Sequence, residues 1–442
     1  MSPIQILVWS ELSSSARQRI LRRTETDIDS LLPLAHEIIA EVRAGGDEAI
    51  LELNRRFDAP KMSLQELQAE PADFQKARSE ISAELLAALE LAQENIRRFH
   101  EKQLPEPLWF CEIQPGILAG EKITAIDRVG LYVPRGKGSF PSVMLMLAIP
   151  ALVAGVERIV VTTPPSPTGK IDAATLVAAE ICGLTEIYAV GGIQAMAALA
   201  YGTETIPRVA KVVGPGSGYV AAAKRALHGI LDVGAPAGPS EAIILCDEHA
   251  DPFLAALDLL VEAEHGPDSA AFLVTHDRSL AEAVVAELPA QIEKLPHWRR
   301  DYVESVFANF GGILLTDDLD GSIELVNEFA PEHLLVLTEE PFSVLQHLKH
   351  AGEILIGPRT PIPFANYCLG LNAILPTGGF ARSYSSVSVW DFLKRSGVGY
   401  VNEAGFAHLA AATTVLADYE GFPAHAEAIR ARMQHWKQRD RG

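Results

Sequence analysis

The sequence predicts an α/β protein with two parallel-sheet domains, preceded by helices and followed by a helical C-terminal segment. Its 442 residues exceed the size at which one hydrophobic core is usual. From residue 128 to about residue 358, short apolar strand-like segments alternate with helical ones, which is the pattern of βαβ units. We therefore divide the chain into residues 1–127, 128–240, 241–383 and 384–442.

The N-terminal region, residues 1–127, is expected to be mostly helical. Asp27–Arg43 and Ile81–Glu101 carry apolar residues at spacings of three and four, which is typical of amphipathic helices. No nucleotide-binding signature appears in this region.

The first α/β region, residues 128–240, has four predicted strands, each leading into a turn rich in Gly or Pro. In open parallel sheets such loops at the carboxyl ends of the strands form the ligand crevice. The predicted strands are Val129–Val133, Arg158–Thr163, Glu186–Val190 and Ala210–Val213. The predicted helices are Val143–Ala154, Ala173–Ile181, Gln194–Tyr201 and Tyr219–Leu227.

One of these loops, Gly214–Gly218 with the sequence GPGSG, follows a predicted strand and opens a predicted helix. Glycines there let the backbone approach a pyrophosphate at a helix N-terminus. The loop is not GxGxxG, and no acidic ribose partner stands about twenty residues later. A nucleotide-binding loop and an ordinary tight turn are equally well supported by these residues.

The second α/β region contains two pairs of residues suited to chemistry. A helix that begins after Asp251 would place Glu262 and His265 on one face, where both can reach one zinc ion. Glu332 and His333 directly precede an apolar strand and could serve as two proton-transfer groups. The alternative for Glu262 and His265 is a solvated helix end, and the alternative for Glu332 and His333 is an ordinary loop. The predicted strands are Ala242–Cys246, Ala271–Thr275, Gly312–Thr316, Leu334–Leu337 and Glu353–Ile356.

The composition argues against nucleic-acid and membrane partners. The chain has 37 Lys and Arg against 57 Asp and Glu, a formal charge of −20, whereas such partners require clustered cations. The uncharged apolar run Met144–Val156 is too short to span a bilayer, and the N-terminus does not indicate secretion. No CxxC pair occurs, which suits a reducing cytoplasm. The four cysteines are Cys111, Cys182, Cys246 and Cys368.

Several runs of residues, taken together and in order, make the chain resemble the histidinol dehydrogenase family over nearly its whole length. The resemblance implies two Rossmann-like domains and a C-terminal segment used for dimerisation. The runs are Phe99–Gln103, Val129–Pro134, Pro141–Ser142, Leu145–Pro150, Gly191–Gln194, Gly214–Gly216, Ala237–Glu241, Ala263–Ser269, Ala330–Leu334, Leu375–Thr377 and Ala424–His425.

The resemblance implies an enzyme that oxidises L-histidinol through the aldehyde to L-histidine and reduces two NAD in succession. It implies that His333 takes the alcohol proton and that Glu332 activates the water that attacks the aldehyde. It also implies a homodimer in which the C-terminal segment of one chain enters the active site of the other. By the same resemblance, NAD contacts Tyr132, Gln194 and the position of Ser217, and the substrate contacts Ser240, His333 and Glu420.

The zinc ligands implied by the resemblance depart from the family pattern of Gln, His, Asp and His. The amide and the carboxylate have exchanged places, so the set still holds one carboxylate, one amide and two imidazoles. We interpret this as a compensated exchange that retains zinc; loss of the metal in a divergent relative is the alternative. The positions implied to bind zinc, and with it the substrate, are Glu262, His265, Asn366 and His425.

Three further departures surround the implied ligands. Ala373 stands where the family usually has a His, and Ser217 stands where it has an NAD-contacting Asn. Arg135 replaces a Gly and could pair with a pyrophosphate, pair with an anionic substrate group, or lie in solvent. These changes leave a dehydrogenase of another polar alcohol, such as a sulfopropanediol, as an alternative to histidinol. A non-catalytic nucleotide-binding protein is the alternative from a different class.

Overall fold

A computed structural model describes residues 4–23, 28–136, 138–235 and 238–439. Two residues of predicted segments, Asp27 and Ala237, lie outside these ranges. Contacts between Cα atoms divide the chain into two compact units. The first comprises residues 1–104 and 126–392, and the second comprises residues 105–125 and 393–442.

The elements are numbered in chain order. The strands β1 to β13 are Ile6–Val8, Leu108–Gln114, Ile117–Ala125, Arg128–Tyr132, Arg158–Thr163, Ile187–Ala189, Lys211–Val213, Glu241–Cys246, Ala270–Thr275, Gly311–Leu315, His333–Leu337, Glu353–Ile356 and Leu393–Val401. The helices α1 to α16 are Ser14–Arg22, Ile28–Phe57, Pro71–Glu80, Ala83–Glu101, Pro141–Val153, Ala173–Ile181, Gly192–Tyr201, Gly218–Leu227, Pro252–Ala263, Arg278–Ile292, His297–Asn309, Leu319–Phe329, Pro341–Leu345, Ile362–Tyr367, Glu403–Tyr419 and Pro423–Arg439. Within the described ranges, no helix is both long and apolar enough to cross a lipid bilayer.

The first unit contains a four-stranded parallel sheet in the order β6-β5-β4-β7. Its strands are short and almost entirely buried, as expected when helices cover both faces of a sheet. The chain runs outward from β4 to β6 and then returns to the other side of β4 with β7. The carboxyl ends of β4 and β7 therefore flank a topological switch point, where open sheets bind ligands.

The same unit contains a six-stranded parallel sheet in the order β1-β10-β9-β8-β11-β12. Strands β8 to β11 are uninterrupted buried segments, and Phe272 on β9 packs edge-to-face on Phe329 of α12. The strands predicted for both α/β regions are confirmed to within one residue at each end. The predicted α/β class with two parallel sheets is thus confirmed.

The second unit contains a three-stranded antiparallel sheet, β13-β3-β2, followed by α15 and α16. The prediction that residues 1–127 are mostly helical is confirmed by α1 to α4, whereas β2 and β3 occupy most of the stretch that follows Glu101. Strand β13 likewise interrupts the segment predicted to be helical from residue 384. Each of the nine residues of β3 pairs with one of β13, so pairing between distant parts of the chain decides this structure.

Candidate active site

The two predicted proton-transfer residues lie at the amino edge of the six-stranded sheet. His333 is the first residue of β11, and the register places it beside Ala242 of β8 and Glu353 of β12. Glu332 immediately precedes β11, and Glu241 begins β8. Three neighbouring strands therefore begin with, or directly follow, an ionisable side chain, and the parallel register brings these groups together.

His333 lies among three carboxylates and is almost completely buried. Its Nδ1 is 2.6 Å from Glu353 Oε1, and its Nε2 is 3.8 Å from both Glu332 Oε1 and Glu262 Oε1. Burial alone would lower the pKa of the imidazole, but the three carboxylates outweigh burial and raise it to about 10. The carboxylates therefore favour transfer of a proton to this ring, and a cation held by Glu262 would weaken that field and bring the pKa of His333 back down.

Glu332 is also buried, and its Oε2 accepts a 2.9 Å hydrogen bond from the backbone N–H of Glu241. Burial raises the pKa of Glu332 well above its usual range, against the influence of His333, and the carboxylates of Glu262 and Glu241 raise it further. A carboxyl group with a raised pKa can take up and release a proton, as a general base or acid must.

The predicted metal-binding pair lies beside this histidine. Glu262 is in the last turn of α9, and His265 follows one residue after the helix C-cap rather than on the helix itself. The two side chains still meet, with His265 Nδ1 2.6 Å from Glu262 Oε2. The side chain of Asn366, in α14, lies against the same carboxylate and helps to lower its pKa. The structure thus brings together three of the four residues implied to bind zinc.

The surroundings of Glu262 fit a zinc ion. The carboxylate is completely buried, and neither oxygen has a well-directed hydrogen bond, although His265 and Asn366 lie against it. Burial opposes its ionisation, but His265 and His333 nevertheless lower the pKa of Glu262 below its usual range. Buried anionic oxygens normally have hydrogen-bond donors or a cation as partners. Carboxylate, imidazole and amide donors can supply such a cation site.

The remaining predicted residues on the substrate side are distributed differently. Ser240 precedes β8 at the same amino edge, and its carbonyl accepts a hydrogen bond from Ala270 N. Glu420 and His425 belong to the second unit, where Glu420 is the C-cap of α15 and His425 lies in the first turn of α16. Both are exposed. Their roles at the active site stay predictions.

The residues predicted to contact NAD lie at the carboxyl edge of the four-stranded sheet. Tyr132 is the last residue of β4, and its hydroxyl accepts a 3.2 Å hydrogen bond from Gly192 N at the start of α7. Gln194, in the first turn of α7, donates its amide to Asn54 Oδ1 at 3.4 Å. Ser217 is the N-cap of α8 and makes no side-chain cap hydrogen bond. These three positions surround the switch point of this sheet, and their NAD contacts stay predictions.

Two departures from the family pattern have defined positions. Ala373 is partly buried and packs against the apolar cluster that includes Met146 and Leu147 of α5. Arg135 follows β4 and is partly exposed, and its charge partly offsets the burial that raises the pKa of Asp58. Arg135 thus lies near a carboxylate at the edge where NAD is predicted to bind.

Three buried residues of the site were missed by the sequence analysis. Arg23 forms a buried ion pair with Glu241, with Nε 2.8 Å from Oε2, and Glu353 contacts His333. Arg23 and Glu241 come from distant parts of the chain, and no local pattern joins them. A charged residue at the start of each apolar strand was the available signal for Glu241 and Glu353, because buried parallel strands are otherwise apolar.

A second group of possible metal ligands lies at the opposite edge of the six-stranded sheet. Asp247, Glu248 and His249 follow β8, and their ligand atoms lie within 4.8 Å of one another. Glu248 and His249 are exposed, and the Asp247 oxygens already accept hydrogen bonds from the backbone N–H groups of His249 and Glu339. We assign no metal to this group, because its oxygens have partners and two of its members face solvent.

This chain is similar to histidinol dehydrogenases in both sequence and structure. A family model described as histidinol dehydrogenase matches residues 21–433. The histidinol dehydrogenase of Synechocystis sp. is 53% identical over 97% of this chain and 99% of its own length. A histidinol dehydrogenase homolog of Cereibacter sphaeroides is 49% identical, covering 97% and 98%. The crystal structure of histidinol dehydrogenase from Elizabethkingia anophelis superimposes with a TM-score of 0.92 at 30% identity, covering 98% of this chain and 99% of that one.

Proposed function

The chain belongs to the histidinol dehydrogenase family, and we propose that it oxidises L-histidinol through the aldehyde to L-histidine. The family consists of NAD-dependent oxidoreductases that act on CH–OH groups and use NAD and zinc, so this chain is an enzyme of that class. Each of the two oxidations reduces one NAD; the first releases one proton, and the second, whose product is a carboxylate, releases two. The second oxidation also consumes one water molecule.

The observation that carries the proposal is the buried pair of Glu332 and His333 beside Glu262. Hydride leaves the carbinol carbon only as the hydroxyl oxygen loses its proton, so a base must reach that oxygen. His333 Nε2 takes this proton in the first step. In the second step Glu332 takes a proton from the water that attacks the aldehyde carbon, and hydride again leaves to NAD.

The zinc in this proposal is held by Glu262, His265 and Asn366, together with the partner's His425. When bound, zinc supplies Lewis-acid polarisation of the substrate and fixes its orientation toward the nicotinamide. The buried oxygens of Glu262, without well-directed hydrogen bonds, support this assignment. The exchange of carboxylate and amide between positions 262 and 366 leaves the ligand charge as it is in the family.

A homodimer is part of the proposal, and features of the second unit support it. Around Glu420 and His425, the large apolar side chains of Val415, Leu416 and Phe422 are more than half exposed, and Tyr419 is 90% exposed. Such exposure of apolar side chains is typical of surfaces that another protein covers. A second copy of the chain is the partner that the family resemblance implies.

NADH formation by the zinc-loaded protein tests the function most simply. We expect turnover of L-histidinol with two NADH formed per molecule, and accumulation of histidine. Formation of one NADH per molecule of histidinol would show that the reaction stops after the first oxidation. No turnover of histidinol, or of any alcohol in a panel that includes sulfonated and hydroxylated propanols, would refute the proposal.

A second candidate, oxidation of another polar alcohol, is favoured by the change at position 373. Ala373 supplies no imidazole where the family resemblance expects one near the substrate, and it packs against apolar side chains. Arg135 adds a cation that suits an anionic ligand group. The same panel of alcohols separates the two candidates, because this one requires a higher kcat/KM for a non-histidinol alcohol. Restoring the imidazole with Ala373→His should then shift the preference toward histidinol.

A further inference from the structure

We propose that Glu353 is a positioning residue for catalysis: it accepts the Nδ1–H of His333 and thereby directs Nε2 toward the reacting hydroxyl. This inference deepens the proposed function and rests on it, because it assumes that His333 is the base. No family pattern considered above includes Glu353, which follows the catalytic pair by about twenty residues in sequence.

The backbone of two strands fixes the contact. His333 and Glu353 are the first residues of β11 and β12 and form a register pair in the parallel sheet. Side chains at paired positions of neighbouring strands project from the same face. Nδ1 lies 2.6 Å from Oε1, and both side chains are 4% exposed. Neither side chain can change this contact without disturbing a buried strand end.

The carboxylate of Glu353 has no second role among the described contacts. Its Oε2 is buried and lacks a hydrogen-bond partner, so His333 is the polar group that the structure provides for it. A buried ion pair costs desolvation energy, and an apolar pair of similar size would often be at least as stable. The arrangement therefore contributes more to the orientation of the ring than to the stability of the sheet.

The other ring nitrogen of His333, Nε2, is left to face the reacting hydroxyl. Nε2 faces Glu332 and Glu262, each with an oxygen 3.8 Å away, a separation too long for a hydrogen bond. A proton on Nδ1 that is held by Glu353 makes Nε2 the nitrogen that accepts the substrate proton. Catalytic histidines in hydrolases are oriented by buried carboxylates in the same manner.

Activity measurements on the full-length, zinc-loaded protein test this inference. In Glu353→Gln the amide can present its N–H₂ to the ring and reverse the tautomer, so we expect kcat to fall by about 10²–10⁴-fold, as for the comparable change in a serine protease. KM for NAD, zinc content and the thermal midpoint should stay near wild type. Glu353→Asp, which keeps a charged acceptor, should have a kcat at least about tenfold higher than that of Glu353→Gln. A matched control is Glu186→Gln, a Glu next to the start of β6 that pairs with Arg158 outside the site.

A kcat within threefold of wild type for Glu353→Gln would overturn the inference. So would a loss of activity that parallels loss of zinc or of folded protein, because Glu353 would then act only on stability or metal binding.

A measurement without substrate separates this inference from the proposed function. In protein labelled with ¹⁵N in the histidine rings, we expect a strongly downfield Nδ1–H proton signal that His333→Gln identifies by its absence. The signal should persist in Glu353→Asp and disappear or move in Glu353→Gln. An unchanged signal in Glu353→Gln would contradict the positioning role. If the signal behaves as expected but no alcohol is oxidised, the proposed function fails while the contact stands.

Discussion

The two parallel sheets of the first unit place their candidate functional residues at opposite edges. In the four-stranded sheet, Tyr132 and Ser217 follow or end strands at the carboxyl edge. In the six-stranded sheet, Glu241, His333 and Glu353 begin strands at the amino edge. The general rule for open α/β sheets describes the first arrangement and not the second. A charged residue at the start of a buried strand can therefore mark a functional edge of a sheet, as a carboxyl-end loop does.

The two edges also differ in charge. The crevice of the four-stranded sheet holds neutral side chains such as Tyr132, which accepts from Gly192 N, and Gln194, which donates to Asn54, with Arg135 and Asp58 as the charged pair at this edge. The amino edge of the six-stranded sheet collects buried carboxylates around His333, with Arg23 as a buried counter-charge. Neutral groups suit recognition of a cofactor, and ionisable groups suit proton transfer. Substitutions at the two edges should therefore affect different kinetic constants.

The largest expected effect comes from His333→Gln. Because the base is removed while the shape of the side chain is largely kept, kcat should fall by about 10²–10⁴-fold. Dissociation constants for NAD and zinc should change little, as checked by calorimetry and metal analysis. The matched variant at the other edge, Gln194→Ala, should instead raise KM for NAD and leave zinc content unchanged. Equal effects of both variants on kcat would remove the distinction between the two edges.

The next effect concerns the exchanged zinc ligands. Glu262→Gln removes the one carboxylate of the set, and Asn366→Asp adds a second. Each single variant should lower the affinity for zinc by roughly tenfold or more, since even outer-shell partners of a metal contribute that much. The double variant again has one carboxylate and one amide and should bind zinc better than either single variant. Competition with a chelator measures the three affinities. Losses that simply add in the double variant would argue against compensation.

The smallest effect is a pH dependence of stability in the four-stranded sheet. Lys224 of α8 is buried, its Nζ donates a hydrogen bond to Gly214 O, and burial lowers its pKa to about 8. A lysine in the unfolded chain has a pKa of about 10.4. Between these values the unfolded chain holds a proton that the folded chain has released, so the free energy of unfolding rises with pH.

From pH 7.5 to 9.5 this rise amounts to about 2 kcal/mol. The apolar variant Lys224→Met lacks this rise in the free energy of unfolding. As the pH increases, the urea midpoint of the wild type should therefore rise relative to that of the variant. A difference that does not change with pH would show that Lys224 titrates normally.

Much of the fold followed from the sequence because its signals are local. The buried apolar strands alternate with helices, and the predicted strand ends agree with the structure to within one residue. Strand β13 was missed because its partner, β3, lies far away in sequence. Strand β2 pairs with the adjacent β3, but the exposed side chains of β2 and β13, such as Trp109 and Tyr400, do not form a buried run. Pairing partners that are far apart in sequence leave no periodic signal.

The candidate site was predictable to a smaller extent. Glu262 and His265 lie close enough in sequence for helical spacing to suggest their proximity, and Glu332 and His333 are adjacent. The contacts of Glu353 with His333 and of Arg23 with Glu241 depend on strand register and on a distant helix end. Resemblance to the family supplied the roles of individual residues. The physical reason that Glu353 contacts His333 became visible only in the parallel register of β11 and β12.

We propose that zinc binding and proton transfer both take place at the amino edge of the six-stranded sheet. Anomalous diffraction at the zinc absorption edge, from crystals of the zinc-loaded protein, tests it most directly. We predict a peak bonded to Glu262 and His265 at about 2.0–2.2 Å, with Glu332 and His333 beside it. A peak at Asp247, Glu248 and His249 on the opposite edge, or no peak from protein that oxidises alcohols, would contradict the claim.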